Sequence, residues 1–344
     1  MKGRFHLAGT AALIAAAMMP TTQAGAAGKL TLYCSPQIEW CQLVIEEFQK
    51  ATGIEVAMTR KSSGETFAQI KAEKDNPKGD VWWGGTGDPH LQAAEEGLTL
   101  EYKSPMLEKL HPWARQQAEQ AKYRTVGVYM GALGFGYDPA FLAKKKLSEP
   151  KCWADLTKPE YKGEVQIANP HSSGTSYTTL ATLVQIWGEA KAFDYLKALH
   201  KNINQYTKSG SAPIKAAAHG ETAIGITFLH DVVTQAVEGF PVKAVAPCEG
   251  TGFEIGSMSI IKGARNLESA KKFYDWALSP ESQKLMTKAK AYQVPSNASV
   301  TPPPQAPKME QIKLINYDFA KYGSSEERKR LLAKWDAEVK DLPR

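Results

Sequence analysis

Apolar residues in the first part of the chain alternate between the spacing of strands and that of helices. A strand is predicted over 29–34, and Cys41, Val44, Ile45 and Phe48 then recur at i, i+3, i+4 and i+7, one face of a helix. The next predicted elements are a strand over 54–58, a helix over 66–74 and a strand over 80–83. Strands that alternate with helices predict a parallel sheet covered by helices, and therefore an α/β fold.

The second part of the chain repeats this alternation. Strands are predicted over 165–168, 223–229 and 242–247, and helices over 177–187, 191–201 and 214–218. A last helix is predicted to begin at Ser324, where Glu327 three residues later completes a capping-box pattern. Because 344 residues exceed what one compact core usually holds, these two series predict two lobes.

Two extended segments that contain glycine, 125–137 and 251–261, are candidates for the crossings between the lobes. We therefore assign residues 28–128 and 252–308 to one lobe, and residues 129–251 and 309–344 to the other. Two lobes joined by extended crossings form a hinged clamp, and such clamps close around ligands.

The first 27 residues have the pattern of a secretory signal peptide. Lys2 and Arg4 precede an apolar run over 7–19, and small residues follow at 24–27. The run is too short to span a bilayer comfortably, and an interfacial or buried helix is the less favoured alternative. We expect cleavage near 24–27 and export to the periplasm.

Charge and cysteine content refine this picture. The chain has 42 basic and 36 acidic residues, a mild excess that suits an anionic ligand. The basic residues are scattered, so nucleic-acid binding is not expected. An exported protein meets an oxidising compartment, so Cys34, Cys41, Cys152 and Cys248 predict two disulfides, with three pairings open. Pairing Cys34 with Cys41 would leave Cys152 for Cys248, and a zinc site is disfavoured because no Cys-x-x-Cys pair occurs.

Short polar turns before predicted helices are candidate anion sites. Ser62–Thr66 and Ser172–Ser176 each contain glycine and precede a helix, and Ser35 follows the first strand. Helix starts offer free N–H groups and the positive end of the helix dipole, and hydroxyls add donors. The alternative for any one turn is ordinary capping by serine or threonine.

Two further clusters follow predicted strands, where ligands bind in open parallel sheets. In the turn over 84–90, Thr86 is a candidate ligand contact and Trp83 a candidate aromatic wall, with a tight turn beside a core tryptophan as the equal alternative. His230 and Asp231 follow the strand over 223–229, and Glu254 comes later. Carboxylates with a neutral imidazole suit sugar hydroxyls, because each hydroxyl both donates and accepts. Metal ligation and helix capping are the alternatives.

Enzyme motifs are missing from the sequence. It contains no Gly-x-Ser-x-Gly elbow, no His-Glu-x-x-His and no Walker Gly-x-x-x-x-Gly-Lys. A phosphatase that uses His230 as its acid or base stays an alternative. We expect a binding protein that is not an enzyme and needs no cofactor or metal.

Several segments together resemble the periplasmic binding proteins of the ferric-iron type in ABC importers. They include LYCSPQIEWC, GFGYDPAFL, CWADLTKPEYKG, ANPHSSGTSY and CEGTGFEIGSMSIIKG, and the likeness covers nearly all of the chain after residue 27. The resemblance implies a type II-like two-lobed fold, a ligand in the interlobe cleft and an ABC permease as partner. Members that bind iron carry two adjacent tyrosines where this chain has His230 and Asp231, which argues against ligation of Fe³⁺ by phenolates.

The retained anion loop at 173–175 makes the chain similar to the branch that binds hexose phosphates. By that likeness, His230, Asp231 and Glu254 would hold sugar hydroxyls. The residues that would hold phosphate are Ser35, Ser62, Ser63, Gly64, Thr66, Thr86, Ser172, Ser173, Gly174 and Thr175. Binding of 2-aminoethylphosphonate, another organophosphate or ferric iron stays open as an alternative, and a monomer is expected because the clamp must open and close.

Overall fold

The computed structural model describes Met1, Gly3 and residues 28–344, and the predicted signal peptide otherwise lies outside the described residues. The strands are β1 Lys29–Cys34, β2 Glu55–Arg60, β3 Val81–Trp83, β4 Val126–Tyr137, β5 Val165–Ala168, β6 Ile203–Thr207, β7 Ile224–Phe228, β8 Lys243–Val245, β9 Phe253–Ile260 and β10 Val294–Pro295. The helices are α1 Ile38–Thr52, α2 Ser63–Ala72, α3 Gly87–Glu95, α4 Pro112–Gln120, α5 Pro139–Lys145, α6 Gly174–Trp187, α7 Glu189–His200, α8 Ala212–Ala218, α9 Leu229–Val237, α10 Leu267–Ala277, α11 Pro280–Gln283, α12 Leu285–Lys288, α13 Phe319–Tyr322 and α14 Ser325–Trp335. Within the described part of the chain, no helix is long and apolar enough to cross a membrane.

One mixed sheet runs through the molecule in the order β2-β1-β3-β9-β4-β7-β5-β6, and β8 and β10 also pair with β4. The pairs β1–β2 and β1–β3 are parallel, as are β5–β6 and β5–β7. β9 and β4 run antiparallel to each other in the middle of the order. This arrangement confirms the predicted α/β fold and places two long strands between its two halves.

Two hydrophobic cores flank these strands. The first contains Trp83 and Phe48, and the second contains Trp153 and Phe193. We call the elements around them the first lobe and the second lobe. β4 contributes to the first core near its start and to the second core near its end, so it crosses between the lobes, and β9 packs against both cores as well. The chain crosses from the first lobe to the second a third time between residues 298 and 314, and this segment contains a short 3₁₀ turn at Met309–Gln311. The boundaries assigned to the lobes stay a prediction.

Several helices begin earlier than the sequence pattern suggested. α2 starts at Ser63 rather than residue 66, because Ser62 and Glu65 form a capping box at its start. α6 likewise starts at Gly174 rather than residue 177. The predicted turn over 84–90 contains the start of α3, which follows Thr86 as its N-cap. At the last helix only half of the predicted capping box forms: Ser324 accepts from the Glu327 N–H, while the Glu327 carboxylate pairs with Arg330.

The cysteines pair as Cys34–Cys41 and Cys152–Cys248, so both predicted disulfides form. The first ties the end of β1 to α1 and closes a short loop that carries Ser35. A loop constrained in this way has few conformations to lose when it contacts a ligand.

Candidate ligand-binding cleft

A narrow cleft with a cavity volume of about 40 Å³ lies between the two lobes. It is lined by Ser35, Pro36, Gln37, Arg60, Ser62, Ser63, Gly85, Thr86, Tyr129, Gly174, Thr175, Ser209, Gly210, Ser211, Phe228, His230, Asp231, Glu254 and Gln293. The lining is mostly polar and comes from both lobes, so a ligand held there would contact both.

Three helices begin at this cleft. α2 and α3 belong to the first lobe and follow the N-caps Ser62 and Thr86, which both line the cleft. α6 belongs to the second lobe, and its first two residues, Gly174 and Thr175, also line it. The first N–H groups of a helix have no partner inside the helix, and its dipole is positive there. These starts favour an anion in the cleft.

A glycine pair between β3 and α3 brings the two helix starts of the first lobe together. Gly84 and Gly85 have φ values of 72° and 82°, in the left-handed region that glycine adopts without strain. A side chain at Gly85 would place its Cβ 2.3 Å from the Ser63 hydroxyl oxygen. Only glycine therefore lets the start of α3 approach Ser63, whose hydroxyl accepts a hydrogen bond from the Thr86 N–H at 3.1 Å.

Hydroxyls at the helix starts differ in whether the protein already uses them. The Ser35 hydroxyl accepts from the Trp82 indole N–H at 2.9 Å and lies 3.2 Å from the Thr66 hydroxyl. Thr86 Oγ1 and Ser173 Oγ are buried, and neither has a hydrogen-bond partner in the described part of the chain. Buried polar atoms rarely stay unpaired in proteins. Because Thr86 also lines the cleft, its hydroxyl is the clearest unused donor for a ligand.

Arg60 is a binding candidate that the sequence reasoning missed. It lies at the end of β2, with its Nε donating to the Pro36 carbonyl at 2.9 Å and its Nη2 3.5 Å from the Ser209 hydroxyl of the second lobe. Burial lowers the pKa of the guanidinium, and Glu65 and Asp231 oppose that shift. Arginine keeps its charge at neutral pH, so the cleft contains a partly desolvated cation. We call Arg60, Ser63, Thr86 and Thr175 the donor set.

His230, Asp231 and Glu254 come together in the same cleft, and we call them the acidic set. His230 Nε2 lies 3.7 Å from Asp231 and 3.8 Å from Glu254, and all three side chains are buried. Burial lowers the pKa of His230. Burial, together with the charges of Asp231 and Asp88, raises the pKa of Glu254 well above its usual value. Burial therefore favours the neutral form of both the His230 imidazole and the Glu254 carboxyl.

Local packing fixes the orientation of this set. The His230 ring stacks on Phe228 at 5.5 Å, and a side chain at Gly131 would place its Cβ 2.4 Å from His230 Nδ1. Asp231 accepts hydrogen bonds from the Gln37 amide, which belongs to the first lobe, and from the Thr227 hydroxyl. In the described chain, His230 Nδ1 has no partner. The set is preorganised, with at least one ring nitrogen unused.

Some predicted site residues do not line the cleft. These are Gly64, Thr66, Ser172 and Ser173. The Gly64 N–H donates to the Ser172 carbonyl, and the Thr66 hydroxyl lies within hydrogen-bond distance of the Ser62 carbonyl. The candidate aromatic wall also lies elsewhere, because Trp83 packs edge-on against Trp40 in the first core, at 5.0 Å between ring centroids.

The cleft also contains residues that were not predicted: Gln37, Arg60, Tyr129, Ser209, Gly210, Ser211 and Gln293. The sequence pattern could have identified Ser209-Gly210-Ser211, because it is a polar turn with glycine directly before α8. The pattern points less strongly to Arg60, which lies at the end of a strand, where ligands tend to bind.

Among the described residues, Tyr129 is the one tyrosine that lines the cleft. Burial, with Glu254 nearby, raises the pKa of its phenol well above the usual value. Its oxygen accepts a hydrogen bond from the Gly85 N–H at 2.7 Å. A buried phenol that already accepts this hydrogen bond is not poised to bind Fe³⁺ as a phenolate, which argues against the ferric-iron alternative.

Known proteins resemble this chain in sequence and in fold. The family model for bacterial extracellular solute-binding proteins matches residues 85–322. The periplasmic binding protein AfuA from Actinobacillus pleuropneumoniae, solved with exogenous fructose-6-phosphate bound, is 48% identical, with a TM-score of 0.89 over 92% of this chain and 99% of that one. The periplasmic binding protein P5PA is 43% identical, with a TM-score of 0.88 over 91% and 100% of the two chains. A Haemophilus influenzae protein is 48% identical over 98% of each chain.

The resemblance to ferric-iron binders is one of architecture. Iron-bound HitA from Pseudomonas aeruginosa is 20% identical, with a TM-score of 0.75 over 89% of this chain and 99% of that one. At this identity the two share the fold alone. Together with the higher similarity to AfuA, this confirms the relationship predicted from the sequence motifs.

Proposed function

This chain belongs to the bacterial extracellular solute-binding proteins, and we propose that it captures a hexose phosphate by closing its two lobes around it. Proteins of this kind are the periplasmic binding components of ABC transporters and deliver small molecules to inner-membrane permeases. The observation that carries the proposal is one cleft that combines the donor set with the acidic set.

The donor set suits a phosphate group. Arg60 supplies a positive charge, and charge-assisted hydrogen bonds to phosphate are among the stronger ones in proteins. Thr86 offers a buried hydroxyl without a partner in the described chain, and Thr175 lies in the first turn of α6. A phosphate between these groups would neutralise the guanidinium and satisfy the hydroxyl, both of which are costly to bury alone.

The acidic set suits sugar hydroxyls. A neutral imidazole and a protonated carboxyl each offer one donor and one acceptor, as a sugar hydroxyl does. Asp231 adds acceptors on a side chain that Gln37 and Thr227 already hold in place. The fructose-6-phosphate bound to AfuA, a protein 48% identical to this chain, supports a sugar phosphate of this size.

The proposal includes export and the lack of a covalent step. Residues 1–27 would direct the chain to the periplasm and be cleaved, after which the mature protein would act as a monomer. In the described cleft His230 has no serine or cysteine hydrogen-bonded to it as a nucleophile, which supports binding rather than phosphatase activity. Slow release of inorganic phosphate from a bound hexose phosphate would contradict this part of the proposal.

A calorimetric titration with five compounds tests the ligand class. The compounds are fructose 6-phosphate, glucose 6-phosphate, 2-aminoethylphosphonate, inorganic phosphate and ferric citrate. We expect a hexose phosphate to bind most tightly. Preferential binding of 2-aminoethylphosphonate would show that the ligand is a phosphonate and not a hexose phosphate. Binding of iron alone would overturn the proposal.

A further inference from the structure

Two contacts join the helix starts of the first lobe to the turn before α6 in the second lobe. The N–H groups of Gly64 and Glu65 both point at the Ser172 carbonyl, at 3.0 and 3.3 Å. Nearby, Gly174 lies against Thr86 of the first lobe. The α2 start, which the sequence assigned to phosphate, thus gives two of its free N–H groups to the other lobe.

Glycine is required at both positions by proximity and not by backbone conformation. A Cβ at Gly64 would lie 2.2 Å from the His171 carbonyl oxygen, and a Cβ at Gly174 would lie 1.6 Å from Thr86 Oγ1. Neither residue has a positive φ, so alanine would fit the local backbone at each. Alanine also favours a helix more than glycine does. Something other than local helix stability therefore accounts for glycine here, and the neighbouring lobe provides the reason.

We infer that Gly64–Ser172 and Gly174–Thr86 form a latch that fixes how far the lobes close. The hydrogen bonds to Ser172 form only when α2 of the first lobe reaches the turn before α6, so they are specific to the closed arrangement. Satisfying the free N–H groups of α2 and the Ser172 carbonyl offsets part of the cost of removing water from the seam. The latch goes beyond the identity of the ligand, since it would act in the capture of any small molecule.

Alanine substitutions test the latch against a local role. Gly64→Ala and Gly174→Ala should each weaken binding of fructose 6-phosphate about 5- to 150-fold, the range for overpacking a tight contact. Their unfolding midpoints should be no lower than that of the wild type, because the added methyl clashes only with the other lobe. Small-angle scattering of the Gly64→Ala variant with saturating ligand should give a larger radius of gyration than the wild type.

The control is Ala68→Ser, a small change at an exposed position of α2. Binding within threefold of wild type in both glycine variants would overturn the latch.

A crosslink tests the latch without any ligand. The Cβ positions of residues 86 and 174 are 2.8 Å apart, and a disulfide needs a Cβ–Cβ distance of roughly 3.5–4.5 Å. The chain with both Thr86→Cys and Gly174→Cys should therefore crosslink when these two positions stand about 1 Å further apart than in the closed structure. Mass spectrometry under mild oxidation should find this third disulfide, and two persistent free thiols would overturn the inference. If the wild type does not bind fructose 6-phosphate, the proposed function fails, and the crosslink still decides the latch.

Discussion

The donor set and the acidic set occupy the same cleft but are built by different physics. The donor set relies on helix starts, a cation and an unused hydroxyl, so it attracts negative charge. The acidic set contains two groups, His230 and Glu254, whose neutral forms burial favours, so it offers mainly hydrogen bonds. We therefore expect the donor set to control the affinity for the phosphate group. The acidic set should control the selectivity for the molecule to which that phosphate is attached.

The largest effect is expected at Arg60, which supplies the charge of the donor set. Arg60→Ala should weaken hexose phosphate binding by about 2 kcal/mol or more, roughly 30-fold, because a desolvated charge pair loses one partner. Isothermal titration measures this, with exposed Arg265→Ala as the control. An equal loss of affinity for unphosphorylated fructose would show that Arg60 acts on something other than phosphate.

The next effect concerns Thr86 and its unused hydroxyl. Thr86→Val keeps the shape but removes a hydrogen bond to a charged oxygen, and affinity should fall about tenfold or more. Thr99 is the matched control, because its hydroxyl is also buried and unpaired in the described chain but lies outside the cleft. Equal affinities of Thr86→Val and the wild type would remove this hydroxyl from the donor set.

The pH dependence of binding separates the two sets. Burial lowers the pKa of His230 below 6.5, so its imidazole gains a proton at lower pH than an exposed histidine would. A phosphate monoester loses its second charge near pH 6, so binding should weaken about fourfold as pH falls from 7.5 to 5.5.

His230→Gln should keep the same slope while binding more weakly. Titrations at both pH values measure this, and unphosphorylated fructose should show no such slope. Affinity that rises as pH falls would mean that His230 becomes protonated in the complex.

The smallest effect is expected at Glu254. Burial raises the pKa of Glu254 well above the usual value and so favours its neutral form, and the neutral Glu254→Gln should bind within about threefold of wild type. Glu254→Ala should lose about tenfold, since it removes the hydrogen bonds as well. A large loss in the glutamine variant would show that the ligand needs the charged carboxylate, as an aminophosphonate would.

The sequence predicted the parts of the cleft that depend on local pattern. Ser62, Thr86 and Gly174 mark helix starts at the ends of strands, and His230 follows β7 directly, so strand and helix periodicity locates them. Arg60 and Gln37 could not be located in this way, because their partners lie 149 and 194 residues away along the chain. Arg60 faces Ser209, and Gln37 faces Asp231, only because the lobes close on each other.

The same limit explains why the sequence assigned Gly64 and Ser172 to phosphate. A polar glycine turn before a helix looks alike whether its N–H groups face a ligand or another lobe. Only the packing of the two lobes distinguishes these uses, and here the Gly64 N–H faces the Ser172 carbonyl.

The central claim is that one cleft binds phosphate and sugar together. The most direct test is a titration of the purified chain with fructose 6-phosphate, fructose and inorganic phosphate at pH 7.5. We predict that fructose 6-phosphate binds at least 100-fold more tightly than either fragment, because each set contacts only one part of the ligand. Binding of fructose as tight as that of fructose 6-phosphate, or no binding of any of the three, would contradict the account.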